Sequence, residues 1–140
     1  MHPRFASRKK QGEWAELVLQ ERLSGFGLNT SKPNGDSAPY DVIAESRRGR
    51  LHKLQGKSVG SPERDRSGVY AVTCGYGHRA KRAYLPRHID FLAVYVIPED
   101  LWYIIPVHAL RRQKRIRVCP SQPQRLPRFE QYREAWQQLF

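Results

Sequence analysis

The sequence predicts an α/β domain in which a central mixed β-sheet is flanked by helices, and three stretches support this. Residues 12 to 23 place apolar side chains at helical spacing, and Ser24-Gly25 stops the pattern. Residues 40 to 45 and 50 to 58 are strand-like and separated by a short polar turn, which predicts a hairpin. Residues 90 to 97 are apolar on both faces, as expected of a strand at the centre of a sheet.

The remaining stretches suggest three parts along the chain. Residues 1 to 9 form a basic arm, residues 10 to 110 form the main domain, and residues 111 to 140 hold a basic segment, a proline-rich spacer and a C-terminal helix. That helix is predicted to begin at Pro127 or Arg128. Shorter elements are also expected, namely strands at 26 to 30, 69 to 74 and 101 to 106 and a short helix at 108 to 110.

The chain is strongly basic and carries a formal net charge of +12 at pH 7 over 140 residues. This charge favours nucleic acid or another anionic surface as the partner. No apolar stretch is long enough to cross a bilayer, and the basic N-terminus lacks a signal-peptide core, so a membrane or export function is not expected. Cys74 and Cys119 form no paired metal motif and are predicted to be reduced, buried thiols of a cytoplasmic protein.

The second strand of the predicted hairpin carries the candidate chemistry. Because side chains alternate along a strand, Gln55 and Lys57 share one face, while Gly56 leaves the other face bare. Asp41 opens the preceding strand, so an acid, an amide and a lysine can meet and hold a divalent metal beside an ammonium group. The competing interpretation is that Asp41 is a turn residue and that Gln-x-Lys is the solvent face of a hairpin.

Flexible basic segments are candidates for contact with a DNA backbone. Residues 75 to 82 interleave glycines with aromatic and basic side chains, and residues 111 to 117 concentrate cations. A solvated loop with hairpin glycines is the alternative interpretation for the first segment. The candidate DNA contacts are Lys9, Lys10, His78, Arg79, Lys81, Arg82, Arg111, Arg112, Lys114, Arg115 and Arg117.

Glu16 on the helix, Asp41 at a strand start and Gln55-Gly56-Lys57 on the next strand resemble the PD-(D/E)XK nuclease superfamily in type and order. The resemblance covers residues 9 to 110 and implies a restriction-endonuclease-like core. The spacing Lys10-x-Gly12-x-x-x-Glu16 is similar to the Holliday-junction resolvase branch. Gln-x-Lys in place of Glu-x-Lys, with the later Trp102-Tyr103-Ile104-Ile105-Pro106, is similar to group I intron homing endonucleases.

Two departures from the family motif are present. Tyr40 precedes Asp41 where the motif has proline, with Pro39 one position earlier. Gln55 replaces the second acid, which removes one negative charge from the expected metal site.

The resemblance implies a magnesium-dependent DNA endonuclease, with Mn²⁺ as a substitute metal. Asp41 would supply the main carboxylate, Gln55 an amide oxygen, Gly56 a main-chain carbonyl, and Glu16 a ligand directly or through a water. Lys57 would orient the attacking water or neutralise charge that develops on the phosphate. The expected catalytic set is therefore Glu16, Asp41, Gln55 and Lys57. Cutting both strands suggests at least a homodimer.

Three other interpretations compete with an active nuclease. A DNA-binding protein of the same fold without catalysis explains both the charge and the missing acid. An RNA- or ribosome-associated basic protein explains the charge but leaves the ordered series from Glu16 to Lys57 without a role. A histidine-based nuclease is less consistent with the sequence, because the histidines are not at metal-ligand spacing.

Overall fold

A five-stranded sheet forms the centre of the protein in the computed structural model, which describes residues 3–140. Its strand order is β1-β2-β3-β7-β8, with β3 and β7 parallel and the other neighbours antiparallel. The predicted α/β fold with a mixed central sheet is therefore confirmed. The elements are α1 (Arg8–Gly25), β1 (Asn29–Ser31), β2 (Val42–Glu45), β3 (Leu51–Val59), β4 (Tyr70–Thr73), β5 (Gly75–Tyr76), β6 (Arg82–Ala83), β7 (Phe91–Val96), β8 (Leu101–Pro106) and β9 (Arg115–Val118).

Helix α1 begins four residues before the position predicted for it. Ser7 caps the helix, because its hydroxyl accepts a hydrogen bond of 3.1 Å from the Lys10 N–H. Two residues of the predicted arm, 8 and 9, therefore belong to the helix, while residues 1 and 2 lie outside the described part. Ala15, Leu19 and Leu23 follow one another at four-residue spacing, and all three are buried against the sheet.

The two predicted hairpins are present, and a parallel pairing joins them. In the β2–β3 hairpin, Val42 lies opposite Leu54, and strand β7 then pairs with β3 in parallel. The connection between these two strands includes β4, which pairs with β9 in a separate two-stranded sheet. The predicted strand at 69 to 74 therefore exists but lies outside the central sheet, and part of the basic run 111 to 117 is its partner.

Apolar side chains fill both faces of the central sheet. On one face, α1 packs over Leu54 and Trp102, together with Leu139 from the C-terminal end. On the other face, β4 and β9 cover Val94 and Tyr103. Every residue from 92 to 97 is buried, as predicted for a central strand. Cys74 and Cys119 are free and buried, in agreement with the prediction.

The prediction of one C-terminal helix is wrong, because the chain forms two 3-10 helices there, Pro127–Tyr132 and Trp136–Leu139. Between them, Glu134 has a positive φ of 49°. Its N–H donates to the Trp102 carbonyl at 2.8 Å, and its carboxylate accepts from the Trp102 N–H at 2.9 Å. These bonds attach the segment to the edge of β8 and interrupt a continuous helix. Within residues 3–140, no helix is long and apolar enough to cross a membrane.

Leu19→Ala should lower the free energy of unfolding by about 2 to 5 kcal/mol, because it leaves a cavity between α1 and the sheet. Leu19 is fully buried, whereas Leu17 on the same helix is 65% exposed. Leu17→Ala is the matched control and should change stability by no more than about 0.5 kcal/mol. Urea unfolding of both variants measures the difference. Equal losses would contradict the packing of α1 described above.

Candidate active site

Strand β3 is longer than its partner β2, and the extra length creates an open edge. β2 begins at Val42, opposite Leu54, whereas β3 continues to Val59. Beyond Leu54, β3 is paired with β7 along one edge only. Residues 55 to 59 are partly exposed as a result. The candidate residues Gln55, Gly56 and Lys57 occupy the start of this open edge.

Asp41 bonds to the main-chain groups of β3 at the point where the β2–β3 ladder stops. Its N–H donates to the Leu54 carbonyl at 2.9 Å, which extends the β2–β3 ladder by one step. Its carboxylate oxygen Oδ2 accepts the Gly56 N–H at 3.0 Å and the Gln55 side-chain amide at 2.9 Å. Asp41 is therefore held by structural bonds and is not a solvent-facing turn residue.

Helix α1 brings a second carboxylate to the same place. Glu16 and Asp41 both line a small cavity, together with Gly56 and Lys57. Gly12, Ala15, Ser58 and Trp102 complete its lining. Four of the five residues predicted for catalysis or metal binding thus meet at one cavity, and the fifth, Gln55, is hydrogen-bonded to Asp41.

The Gln55 amide presents its nitrogen to the neighbouring oxygens. Nε2 lies 2.9 Å from Asp41 Oδ2 and 3.2 Å from the Gly56 carbonyl oxygen. Two oxygens expected to bind a metal therefore converge on one point, and an amide N–H group occupies it. To act as a ligand, the Gln55 amide must turn over about its last side-chain bond and present Oε1.

Burial shifts the pKa values of the two central charged groups in opposite directions. It raises the pKa of Asp41, with repulsion from Glu16 adding to the effect, while the Gly56 N–H and the charges of Lys57 and Lys32 oppose it. Burial lowers the pKa of Lys57, and the attraction of Asp41 opposes that shift. The net shift moves each group toward its neutral form, and the charge of the other group opposes that shift.

Lys32 is a site residue that the sequence analysis missed. Its ammonium group forms an ion pair with Glu16 Oε1, and this interaction raises the pKa of Lys32. Lys32 follows β1, whose pairing with β2 brings it alongside the start of β2. In the sequence it lies in a cluster of turn residues, where no local signal indicates a contact with the helix.

The oxygen donors of this site fit a hard divalent cation such as Mg²⁺. They are the carboxylates of Glu16 and Asp41, the Gly56 carbonyl and the side-chain oxygen of Gln55. A Cβ atom at Gly56 would lie 3.5 Å from Asp41 Oδ2, so the bare glycine leaves space beside that carboxylate. Among the described residues, no group of three or more His, Cys, Asp or Glu side chains could hold a metal. Two carboxylates with neutral oxygens are therefore what this site offers.

The candidate DNA contacts are all exposed, and the charge of one of them, Lys81, acts on Lys57. The N–H of Cys74 donates to the Lys114 carbonyl at 2.9 Å, which ties the start of β5 to the basic run 111 to 117. Both Cys74 and Lys81 lie close enough to Lys57 to influence its pKa. The exposed turn between β5 and β6 and the basic run therefore border the same end of the sheet.

Some of the predicted DNA contacts already form ion pairs within the protein, which leaves their charges less available to a phosphate. Arg115 and Arg117 both approach Glu63 Oε1, at 3.7 and 2.6 Å. Lys10 forms an exposed ion pair of 3.3 Å with Glu13 in the first turns of α1. These three cations already have acidic partners within the chain.

A larger cavity lies elsewhere, around the N-terminal end of α1. Its lining includes Phe5, Arg8, Pro62 and Pro98 and contains no carboxylate. The larger cavity and the carboxylate donors therefore lie in different parts of the protein. The larger cavity lacks the acidic oxygen donors that a divalent cation needs, so the smaller cavity is the candidate site.

The sequence model of the PD-(D/E)XK endonuclease family matches residues 6–139, and the chain belongs to this family. A solved structure agrees: the bacterial homing endonuclease I-Ssp6803I matches with a TM-score of 0.80 and 30% sequence identity. The match covers 96% of this chain and 93% of that chain. The superfamily prediction is confirmed, and the two matches support a nuclease function. No curated protein matches the sequence closely enough to count as a relative.

Asp41→Asn should stabilise the metal-free protein at about pH 7. Because the pKa of Asp41 is raised in the folded state, the unfolded chain releases the proton more readily, and stability falls as pH rises through that interval. The asparagine does not ionise, so its advantage should vanish below about pH 3.9, where the aspartate is protonated in both states. Thermal unfolding with a chelator, at both pH values, measures this.

Asp36→Asn is the control, because Asp36 is exposed in the turn before β2. It should leave the pH dependence unchanged. If Asp41→Asn is less stable than the wild type at neutral pH, attraction by the two lysines outweighs the burial of the carboxylate.

Proposed function

We propose that the protein is a metal-dependent DNA endonuclease that hydrolyses phosphodiester bonds. The observation that supports this most directly is the meeting of Glu16, Asp41 and the Gln55–Lys57 segment at the open edge of β3. Glu16 comes from helix α1, and the other residues come from the β2–β3 hairpin and the residue before it. Family membership makes this arrangement the natural candidate for the catalytic centre.

In this proposal, Asp41, Glu16, the Gly56 carbonyl and the Gln55 amide oxygen hold Mg²⁺, with Mn²⁺ as a substitute. The cation, when bound, supplies Lewis-acid chemistry at the scissile phosphate and makes a water ligand more acidic. The hydrogen bond from the Gly56 N–H fixes the direction of the Asp41 carboxylate, so little reorganisation is needed for it to act as a ligand.

Lys57 acts beside this cation. It lies on the side of β3 that faces Cys74 and Lys81, and burial lowers its pKa. An ammonium group with a lowered pKa neutralises charge that develops on the phosphate and also exchanges a proton more readily than a solvated lysine. Lys57 therefore orients the attacking water or stabilises the transition state.

DNA is the proposed substrate, and the basic surface around Lys57 is the proposed contact. The net charge of +12 and the exposed cations at 78 to 82 and 111 to 117 suit a phosphate backbone. A homing endonuclease is among the structural matches, which favours a specific duplex site over a four-way junction. We propose at least a homodimer, because the simplest way to cut both strands is one strand per centre.

One observation favours a second candidate, a DNA-binding protein of this fold without catalysis. Gln55 is neutral, and its amide donates N–H bonds to the oxygens that would otherwise bind a metal. A site that remains in this state binds DNA through its basic surface and leaves it intact.

Incubation with supercoiled plasmid and with a synthetic four-way junction, with and without Mg²⁺ or Mn²⁺, tests the proposal directly. Cleavage of the plasmid alone supports a duplex endonuclease, and cleavage of the junction alone supports a resolvase. A site-specific enzyme leaves a plasmid without its site intact, so a plasmid pool with randomised inserts is included. Binding without cleavage of that pool or of the junction supports the inactive protein.

Lys57→Ala and Asp41→Ala should each reduce cleavage by about 10²-fold or more, because each removes a charge that acts at the phosphate. Lys53→Ala is the matched control: this lysine lies on the same face of β3, but its ammonium group is bonded to the Arg87 carbonyl. Initial rates on a cleaved substrate measure the effect. Wild-type rates in both site variants would refute the assignment of this site.

Gln55→Glu should strengthen Mg²⁺ binding by about 1 to 2 kcal/mol, because it restores a negative charge to the donor set. Without metal the same change replaces a hydrogen bond to Asp41 with repulsion, so the chelated variant should melt at a lower temperature. Calorimetric titration and thermal unfolding measure the two effects. Unchanged metal affinity would show that residue 55 does not face the metal, and would favour the inactive protein.

Changing Arg79, Lys81 and Arg82 to alanine together should reduce the slope of log affinity against log salt by about three units. The double change of Arg115 and Arg117 should reduce it by less than two, because Glu63 already pairs with both. Fluorescence anisotropy over a range of salt concentrations measures the slopes. An unchanged slope in the triple variant would remove the β5–β6 turn from the interface.

A further inference from the structure

Lys32 is the cation nearest to the helix carboxylate of the candidate site. Its ammonium group pairs with Glu16 Oε1, and the charge of Asp41 also acts on it. The pairing of β1 with β2 places Ser31 opposite Ile43, so the next step along β1 brings Lys32 beside the start of β2. One lysine thus interacts with both carboxylates.

Glu16 has little else to compensate its charge. Its side chain is only 22% exposed, and Oε1 is buried. No donor among the described residues gives Oε1 a well-aligned hydrogen bond, which leaves Lys32 as its ionic partner. A buried carboxylate oxygen needs a partner, because desolvation without compensation is costly. The Glu16–Lys32 pair therefore differs from an exposed pair such as Lys10–Glu13.

We propose that Lys32, whose side chain is 54% exposed, is an intramolecular counter-ion that keeps the metal-free site neutral and is displaced when a divalent metal binds. This inference rests on the proposed function, since it concerns the same metal site. Lys32 is a positioning residue: it acts through Glu16 and Asp41 and is not assigned a contact with the substrate.

The charges of the site explain why such a residue matters. Two carboxylates, Glu16 and Asp41, stand against two ammonium groups, Lys32 and Lys57, so the set is balanced before any metal enters. A divalent cation adds two positive charges, and both lysines repel it. Displacing Lys32 removes one of these charges, and a DNA phosphate offsets another. Metal binding is therefore weak in free protein and is coupled to DNA binding.

Lys32→Met tests this, because it removes the charge and keeps an unbranched side chain. Calorimetric titration with Mg²⁺ in the absence of DNA should give a dissociation constant about tenfold lower than that of the wild type. Lys32→Arg keeps the charge and should bind Mg²⁺ as weakly as the wild type. Arg22→Met makes the same change of net charge at a pair outside the site, Arg22–Asp100, and should leave Mg²⁺ affinity unchanged.

Thermal unfolding gives a readout that does not depend on cleavage. With a chelator, Lys32→Met should melt at a lower temperature than the wild type, because Glu16 and Asp41 lose their shared cation. Saturating Mg²⁺ should then raise its melting temperature by more than it raises that of the wild type. If Lys32→Met does not fold without metal, Lys32→Gln retains a donor for Glu16 without the charge and should show the same tighter binding.

The outcomes separate this inference from the proposed function. If the wild type cleaves DNA and the neutral variants bind Mg²⁺ no more tightly than it does, the role of Lys32 is wrong and the endonuclease stands. If the wild type neither binds Mg²⁺ with DNA present nor cleaves, the endonuclease proposal fails and Lys32 has no metal to exclude. Tighter binding in both neutral variants, with weak binding in Lys32→Arg, supports the inference.

Discussion

The hydrogen bond from the Gly56 N–H to the Asp41 carboxylate is the interaction on which both the sheet and the candidate site depend. Strand β2 starts too late to pair with the second half of β3, so the Gly56 N–H faces an edge without a strand. Asp41 Oδ2 accepts that N–H, and its own N–H continues the ladder to Leu54. An unpaired main-chain donor would be costly at this partly buried position. The same bond that completes the sheet therefore aims the carboxylate at the site.

The parallel pairing of β3 with β7 gives this edge its rigid support. β7 is buried on both faces, with α1 over one and the β4–β9 sheet over the other. A polar edge one strand away from such a core is held in place by packing. The candidate residues Gln55, Gly56 and Lys57 therefore lie within a regular strand and not in a loop, which suits a site that must hold ligands in fixed geometry.

Electrostatic balance characterises the site without metal. Burial moves Asp41 and Lys57 toward their neutral forms, and their mutual attraction opposes this. The Gln55 amide donates to Asp41 Oδ2, and the Lys32 ammonium group forms an ion pair with Glu16 Oε1, which has no well-aligned donor among the described residues. Buried charges are costly without compensation, and these two contacts compensate the carboxylates with one neutral and one singly charged group.

The sequence by itself determined the α/β class and the central strand, because apolar periodicity is a local property. Its resemblance to a nuclease family indicated Glu16, Asp41, Gln55 and Lys57 as candidate site residues. Only the tertiary structure decided that Lys32 pairs with Glu16, that the Gln55 amide presents nitrogen, and that Glu63 partners Arg115 and Arg117. The tertiary structure also replaced the predicted C-terminal helix with two short 3-10 helices, because Glu134 between them bonds to the edge of β8. Each of these depends on contacts between residues distant in the chain. A local pattern does not encode such contacts, because the energy of a hydrogen bond or ion pair at these positions comes from a partner that folding supplies.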